Sequence, residues 1–71
     1  MDAEPIGSKI KRRRESLRLK QEDLSELSGV NTKTIHLIET GSGNPSLKTL
    51  QKIITVIGME ILVQVKQNGN G

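Results

Sequence analysis

The sequence predicts a compact, mainly α domain of four short helices that is followed by one C-terminal β-strand. Apolar residues recur every three or four positions in four segments, and glycine, proline, asparagine or serine interrupts the pattern between them. After Gly58 the interval between apolar residues shortens to two, which is typical of a strand. A chain of 71 residues is sufficient for one domain with a small core.

The first helix is predicted to begin at residue 6 or 7 and to end near residue 19. Pro5 precedes it, and proline disfavours a helical conformation in the residue before it, so a boundary is expected there. Residues 1–5 are predicted to be a frayed N-terminus. The apolar residues of the inner face are expected to be Ile6, Ile10 and Leu17.

Residues 21–41 are predicted to form two short helices joined by a tight turn. Each helix contains two apolar residues three positions apart: Leu24 and Leu27 before the turn, and Ile35 and Ile38 after it. Gly29 falls between the two pairs, where a residue that tolerates positive φ can end the first helix. This arrangement is typical of a helix-turn-helix, which many DNA-binding proteins use, although many small α domains contain a similar helix pair for packing alone.

The second helix of this pair is predicted over Thr32–Thr40, with Gly41 at its C-terminal end. Asn31 is expected to cap it by accepting a hydrogen bond from the amide of Thr34. At 3.6 residues per turn, the side chains that face inward are Ile35, Ile38 and Glu39. Those expected to face outward and to contact base edges in a major groove are Thr32, Lys33, His36 and Leu37.

Basic residues are concentrated in the first helix and just after it. Seven of the eleven lie there, although the formal net charge is only +3: Lys9, Lys11, Arg12, Arg13, Arg14, Arg18 and Lys20. One interpretation is a solvated helix face whose charges are balanced by nearby acidic residues. The other, which the helix pair favours, is a surface that neutralises the phosphates of a nucleic-acid duplex.

The fourth helix is predicted over residues 47–57, after a loop rich in glycine, asparagine and proline. Ser46 is expected to cap it. Its inner face is expected to consist of Leu47, Leu50, Ile54 and Ile57. Ile53 and Val56 extend the apolar surface beyond the needs of one small core, so we expect another element to cover them.

Residues 59–66 alternate between apolar and mostly polar side chains, which predicts a β-strand. A single strand leaves its backbone amides and carbonyls unpaired, so the simplest partner is the same strand in a second copy of the chain. The sequence therefore predicts a homodimer whose interface contains Ile53, Val56, Ile61, Leu62, Val63 and Val65. The alternative is that residues 59–66 extend the fourth helix or remain loose, and residues 67–71 are expected to be a flexible tail in either case.

The composition excludes several functional classes. The absence of cysteine excludes a disulfide framework and a thiolate metal site, and the absence of aromatic residues excludes base stacking on aromatic side chains. With one histidine and no carboxylate pair opposite a base, the sequence predicts no metal, no cofactor and no catalytic residue, and so no enzyme. No apolar run approaches the roughly 18 residues of a membrane span and no signal peptide is recognisable, so a cytoplasmic, nucleoid-associated protein is expected.

From about residue 6 to residue 58 the sequence resembles the XRE/Cro group of bacterial and phage repressors. The first helix of that family and the entry to its second are similar to the segment IGSKIKRRRESLRLKQEDL. The family's turn and recognition helix are similar to GVNTKTIHLIETG, and its fourth helix is similar to NPSLKTLQKIITVIG. The resemblance implies a lambda-repressor-like fold and binding to double-stranded DNA. A strand after the fourth helix is more similar to the persistence-type (Hip) antitoxins, which implies a kinase-like toxin as an alternative partner.

The resemblance also implies roles for individual residues. Arg14 and Glu39 stand where family members form a structural ion pair, and Gln21 stands where they hold a phosphate. The full set of residues expected to contact DNA phosphates is Lys20, Gln21, Asn31, Thr34 and Asn44.

The sequence departs from the family pattern at three positions. Lys20 stands where serine or threonine usually caps the second helix, and Arg18 where glycine usually ends the first. Leu37 replaces a commonly polar base-reading residue, so the operator preferences of the family do not transfer to this chain. The sequence thus predicts a dimeric repressor that occupies an inverted-repeat operator, and the alternative is an antitoxin that silences a toxin and regulates its own operon.

Overall fold

A computed structural model describes residues 4–66 of the chain. The predicted four helices are confirmed: α1 covers Ile6–Ser16, α2 Gln21–Ser28, α3 Thr32–Thr40 and α4 Leu47–Val56. Helix α1 ends earlier than predicted, and α4 ends one residue before the predicted boundary. The frayed N-terminus predicted for residues 1–5 lies outside the described residues except for residues 4 and 5, and the predicted tail, residues 67–71, lies wholly outside them.

All four helices end at a residue in the left-handed conformation. Glycine occupies that position after α2, α3 and α4, with φ of 75°, 77° and 73° at Gly29, Gly41 and Gly58. After α1 the residue is Arg18, whose φ of 59° is the only positive value at a non-glycine residue between residues 4 and 66. Arg18, which stands where the family usually has glycine, thus takes the left-handed conformation that favours glycine.

Helix starts are stabilised by different groups. The amide of Lys20 donates to Asp23 Oδ2 over 2.7 Å, but the lysine side chain carries no acceptor and cannot complete the reciprocal bond. Asn31 Oδ1 caps α3 by accepting from the amide of Lys33 at 2.7 Å, and not from Thr34 as predicted. Ser46 caps α4 as predicted, accepting from the amide of Thr49 at 3.1 Å.

The core is entirely aliphatic. Its buried members are Ile10, Leu24, Val30, Ile35, Ile38, Ile53, Ile54 and Ile57. Four further apolar residues pack against it while remaining partly exposed: Leu19, Leu50, Met59 and Ile61. Four of the residues predicted to line inner helix faces are instead exposed, and all lie near a helix end: Ile6, Leu17, Leu27 and Leu47.

Ile53 is fully buried in the core of the single chain. The prediction that it lies at a dimer interface is therefore wrong, because no surface of this side chain is left for a second molecule. Val56, which is predicted to lie at the same interface, is exposed. The extra apolar surface of α4 is thus used in part by the core of one chain.

Helix α1 lies against α3 at Gly7. A β-carbon at this position would overlap the carbonyl oxygen of Ile38 and lie 3.2 Å from the α-carbon of Glu39. Gly7 is buried, so the absence of a side chain is what allows the two helix backbones to approach this closely.

Residues 59–66 are neither helix nor strand in the structure. The alternative that they extend α4 is wrong, because the Met59 amide donates to the Ile54 carbonyl at 2.9 Å and closes the helix end. The strand stays a prediction, since its proposed pairing partner belongs to another molecule. Within the described part of the chain, the backbone groups of residues 60–66 form no hydrogen bond with other backbone groups.

None of the helices between residues 4 and 66 has the length and apolar character that crossing a membrane requires.

Candidate nucleic-acid interface

Helix α3 presents the four predicted base-reading residues on one side. Lys33, His36 and Leu37 are exposed and Thr32 is partly exposed, whereas Ile35 and Ile38 on the opposite side are buried. Among residues 4–66, the side chains of Lys33 and His36 form no hydrogen bond or ion pair with the rest of the chain. Donor groups on this face are therefore available to an external ligand.

Leu37 differs from the other residues of this face because the loop after α3 covers part of it. A β-carbon at Gly43 would lie 3.4 Å from the β-carbon of Leu37, and the loop borders a small groove together with Thr34, Leu37 and Ile38. The exposed part of Leu37 is apolar, so it can contact a thymine methyl group but cannot hydrogen-bond to a base.

Four of the five predicted phosphate-binding residues fall into two groups that both border α3. Lys20 and Gln21 line an open depression that also includes Thr32. Thr34 and Asn44 line the groove beside Leu37. Asn31 is exposed at the start of α3, but its Oδ1 atom already accepts the cap bond, which leaves only its amide NH2 as a free donor.

Arg14 and Glu39 meet in a bidentate ion pair between α1 and α3. Arg14 Nε donates to Glu39 Oε2 at 2.7 Å and Nη2 to Oε1 at 2.9 Å, while Nη1 donates to the carbonyl of Leu19 at 2.7 Å. The two side chains are only 9% and 1% exposed. Because both are buried and mutually satisfied, this pair belongs to the framework and is not offered to a ligand.

Gln21 joins the same network, which sequence reasoning missed. Its Nε2 atom donates to Glu39 Oε1 at 3.1 Å, so a single carboxylate on α3 is bound to side chains from α1 and α2. The bond fixes the amide of Gln21 relative to the outward face of α3. The second hydrogen on Nε2 remains able to donate to an anion.

The network shifts the ionisation of both charged partners. The hydrogen bond to Glu39 raises the pKa of Arg14, against the opposing effect of burial. Burial acts to raise the pKa of Glu39, but hydrogen bonds from Arg14 and Gln21 and the positive charge of Arg14 outweigh it, so this pKa is lowered. Both side chains are therefore charged at neutral pH.

Part of the basic cluster on α1 is used inside the molecule. Arg12 Nη2 lies 2.6 Å from Glu4 Oε1, and Arg13 Nε donates to the carbonyl of Ile57 at 2.8 Å, where it satisfies the end of α4. Together with Arg14, three consecutive arginines thus have partners within the chain. The remaining members of the cluster are exposed: Lys9, Lys11, Arg18 and Lys20.

Sequence reasoning also missed the contact of Arg13 with Ile57. The two residues are 44 positions apart, so no local spacing connects them. Their association depends on the tertiary fold, which brings Arg13 within hydrogen-bond distance of the residue that follows α4.

Among residues 4–66, no group of three or more histidine, aspartate or glutamate side chains is placed to hold a metal ion.

Two comparisons with known proteins bear on this geometry. A protein-family model described as Helix-turn-helix matches residues 10–63, which is more than half of the chain. The chain is also 32% identical over 63 residues to the "ImmF control region 10 kDa protein" of Bacillus phage phi105, with 89% of this chain and 70% of that protein covered. The family match contains α2, the turn and α3 completely. The protein therefore belongs to the XRE/Cro helix-turn-helix family of DNA-binding transcription regulators.

Proposed function

We propose that the protein is a transcriptional repressor that binds an inverted-repeat operator in double-stranded DNA as a homodimer. The observation that carries the proposal is the outward side of α3, where the side chains of Lys33 and His36 are exposed and have no partner among the described residues. The buried Arg14–Glu39 ion pair holds this helix against α1. Such a face can enter a major groove and donate to base edges. A relative named for a phage control region supports a regulatory role.

The contacts divide into two kinds. Thr32, Lys33, His36 and Leu37 would read bases, because they lie on the outward side of α3. Phosphate contacts would come from Lys20, Gln21, Asn31, Thr34 and Asn44, which border that side and would set the position of α3 in the groove. In a dimer, two such helices about 34 Å apart would enter successive major grooves.

Binding-site selection from a random duplex pool, followed by titration of a Lys33→Ala variant, tests this proposal. We expect selection to yield a two-fold symmetric site, and Lys33→Ala to weaken binding to it by about 1 to 3 kcal/mol while binding to random duplex changes less. Lys52→Ala is the matched control, because Lys52 is an exposed lysine on α4. Equal losses on selected and random duplex would reassign Lys33 to a phosphate, and failure to select any duplex would contradict the proposal.

A second candidate is an antitoxin subunit that binds a toxin protein and regulates its own operon. The observation in its favour is the exposed apolar surface at Leu62, Val63 and Val65, which a protein partner could cover. Co-expression with the product of the adjacent gene tests it. A stable complex of fixed stoichiometry, lost when these three residues are replaced by serine, would support the antitoxin role, and independent elution of the two proteins would contradict it.

A further inference from the structure

The chain leaves residues 60–66 open to pairing in two respects. Their backbone amides and carbonyls form no backbone hydrogen bond within the described part of the chain. Three of their apolar side chains are also largely exposed, with Leu62 at 73%, Val63 at 93% and Val65 at 89%. An unpaired backbone beside exposed branched side chains is the surface to which another β-strand adds.

One face of this segment already belongs to the core. Met59 and Ile61 pack against the buried cluster, and side chains two positions apart lie on the same face of a strand. Val63 and Val65 would therefore continue that apolar face beyond the edge of the core. The opposite face would carry Glu60, Leu62, Gln64 and Lys66.

The sequence of the segment is nearly symmetric about Val63. Glu60 and Lys66 carry opposite charges at equal distances from it, and Ile61 and Val65 are both β-branched residues at equal distances. Neither Glu60 nor Lys66 forms an ion pair among the described residues. A second copy of the chain, rotated about Val63, thus offers the complementary charge to each of them.

We propose that two copies of the protein pair residues 60–66 as antiparallel strands around a two-fold axis at Val63. This inference rests on the homodimer in the proposed function and specifies its register. Glu60 then lies opposite the partner's Lys66, and Ile61 lies opposite the partner's Val65. The resulting row of Ile61 and Val63 from both chains joins the two cores, because each Ile61 packs on its own core.

Other registers lose these contacts. An axis at Leu62 places Glu60 opposite the partner's Gln64 and Lys66 opposite the partner's Gly58, so both ion pairs disappear. An axis between two residues places the polar face of one strand beside the apolar face of the other, because facing residues share one side of a sheet. The two ion pairs between Glu60 and the partner's Lys66 therefore favour a two-fold axis at Val63 over the other registers.

Single-cysteine variants test the register directly, since the chain contains no cysteine. In DNA-free protein under mild oxidation, we expect Val63→Cys to form a covalent dimer readily. Leu62→Cys and Gln64→Cys should react several-fold more slowly, because each pair of α-carbons would then be about 8 Å apart, beyond disulfide range. Val63 is almost fully exposed, so its replacement leaves the core intact. Faster reaction of Leu62→Cys, or equal rates for all three variants, would overturn the proposal.

Charge reversal gives a second measurement. Glu60→Lys should raise the dimer dissociation constant in sedimentation experiments by about tenfold, because it makes two ion pairs repulsive, and adding Lys66→Glu should restore it. A dimer that is insensitive to these changes would overturn the register while leaving the homodimer in place. A chain that stays monomeric at all concentrations would overturn both, whereas base reading by Lys33 would still be decided by the duplex titration.

Discussion

At the scale of single residues, Gly7 sets the distance between two helices. Its α-carbon lies against the carbonyl of Ile38, so that α1 rests on the backbone of α3 without an intervening side chain. Ile38 itself contributes a buried side chain to the core. The contact therefore fixes the position of α3 relative to the rest of the domain.

We predict that Gly7→Ala destabilises the protein, although alanine is the better helix former by about 1 kcal/mol. The added β-carbon meets backbone atoms, which cannot rotate away, so α1 and α3 must separate and the core must loosen. We expect a loss of about 2 kcal/mol in the free energy of unfolding, within the range for overpacked cores, measured by urea denaturation and circular dichroism. Lys9→Ala, an exposed site in α1, should change stability by less than about 0.5 kcal/mol. Unchanged or increased stability of Gly7→Ala would show that the helices can separate freely.

Residue contacts were predictable from sequence only in part. The meeting of Arg14 and Glu39 followed from a resemblance to a family with that pair. The bond from Gln21 to Glu39 does not follow from the sequence, because a spacing of 18 residues carries no periodic signal. Gly7 stands at the predicted start of the first helix, and a glycine between Ile6 and Ile10 on the predicted inner face is the sequence signal for close helix packing.

At the scale of elements, the end of α1 differs from the ends of the other three helices. The amide of Arg18 donates to the carbonyl of Glu15 at 2.9 Å and that of Leu19 to Arg14 at 3.1 Å, which is the Schellman arrangement. The amides of Gly58 and Met59 form the same pair of bonds at the end of α4. An arginine thus occupies a position that favours glycine.

We predict that Arg18→Gly stabilises the protein by about 0.5 to 1 kcal/mol. Glycine relieves the steric cost of left-handed geometry, and this gain exceeds its entropic cost in the unfolded chain. The midpoint of thermal unfolding provides the measurement. Ser16→Gly is the matched control, since this residue lies inside α1 and glycine there should lose about 0.5 kcal/mol. A loss of stability in both variants would mean that the Arg18 side chain makes contacts worth more than the relief of strain.

Helix positions were predicted well, and helix faces less well near the ends. Apolar spacing and caps located all four helices, because periodicity and turn residues are local properties of the chain. Leu17, Leu27 and Leu47 fit the same spacing yet are exposed, and all three lie at or beside a helix end. The environment of residues 59–66 depends on tertiary contacts, such as the packing of Met59 and Ile61 against the core, which local patterns do not encode.

At the scale of the whole molecule, the Arg14–Glu39 pair connects stability to pH. The pKa of Glu39 is lowered in the folded protein below its ordinary value of 4.5. The stabilisation that this shift represents is therefore complete above that ordinary value. It is lost as the pH falls through the lowered folded pKa, because the unfolded chain takes up the proton first.

We predict that the free energy of unfolding declines below about pH 4.5 and that part of this decline disappears in a Glu39→Gln variant. That variant should also lose about 3 kcal/mol at neutral pH, because Arg14 is left buried without its counter-ion. Urea titrations at several pH values measure both effects. Glu26→Gln, which replaces an exposed glutamate of α2, controls for general effects of charge. An acid decline of equal steepness in wild type and Glu39→Gln would contradict the assignment.

The sharing of one carboxylate by Arg14 and Gln21 has a consequence for the shape of any duplex bound to α3. Helix α3 is bonded to both α1 and α2, so it cannot rotate to follow an irregular groove, and the DNA must deform instead. Base steps that twist or kink easily should then be favoured even where no side chain touches them. We expect the selected sites to contain flexible pyrimidine–purine steps at uncontacted positions between the half-sites.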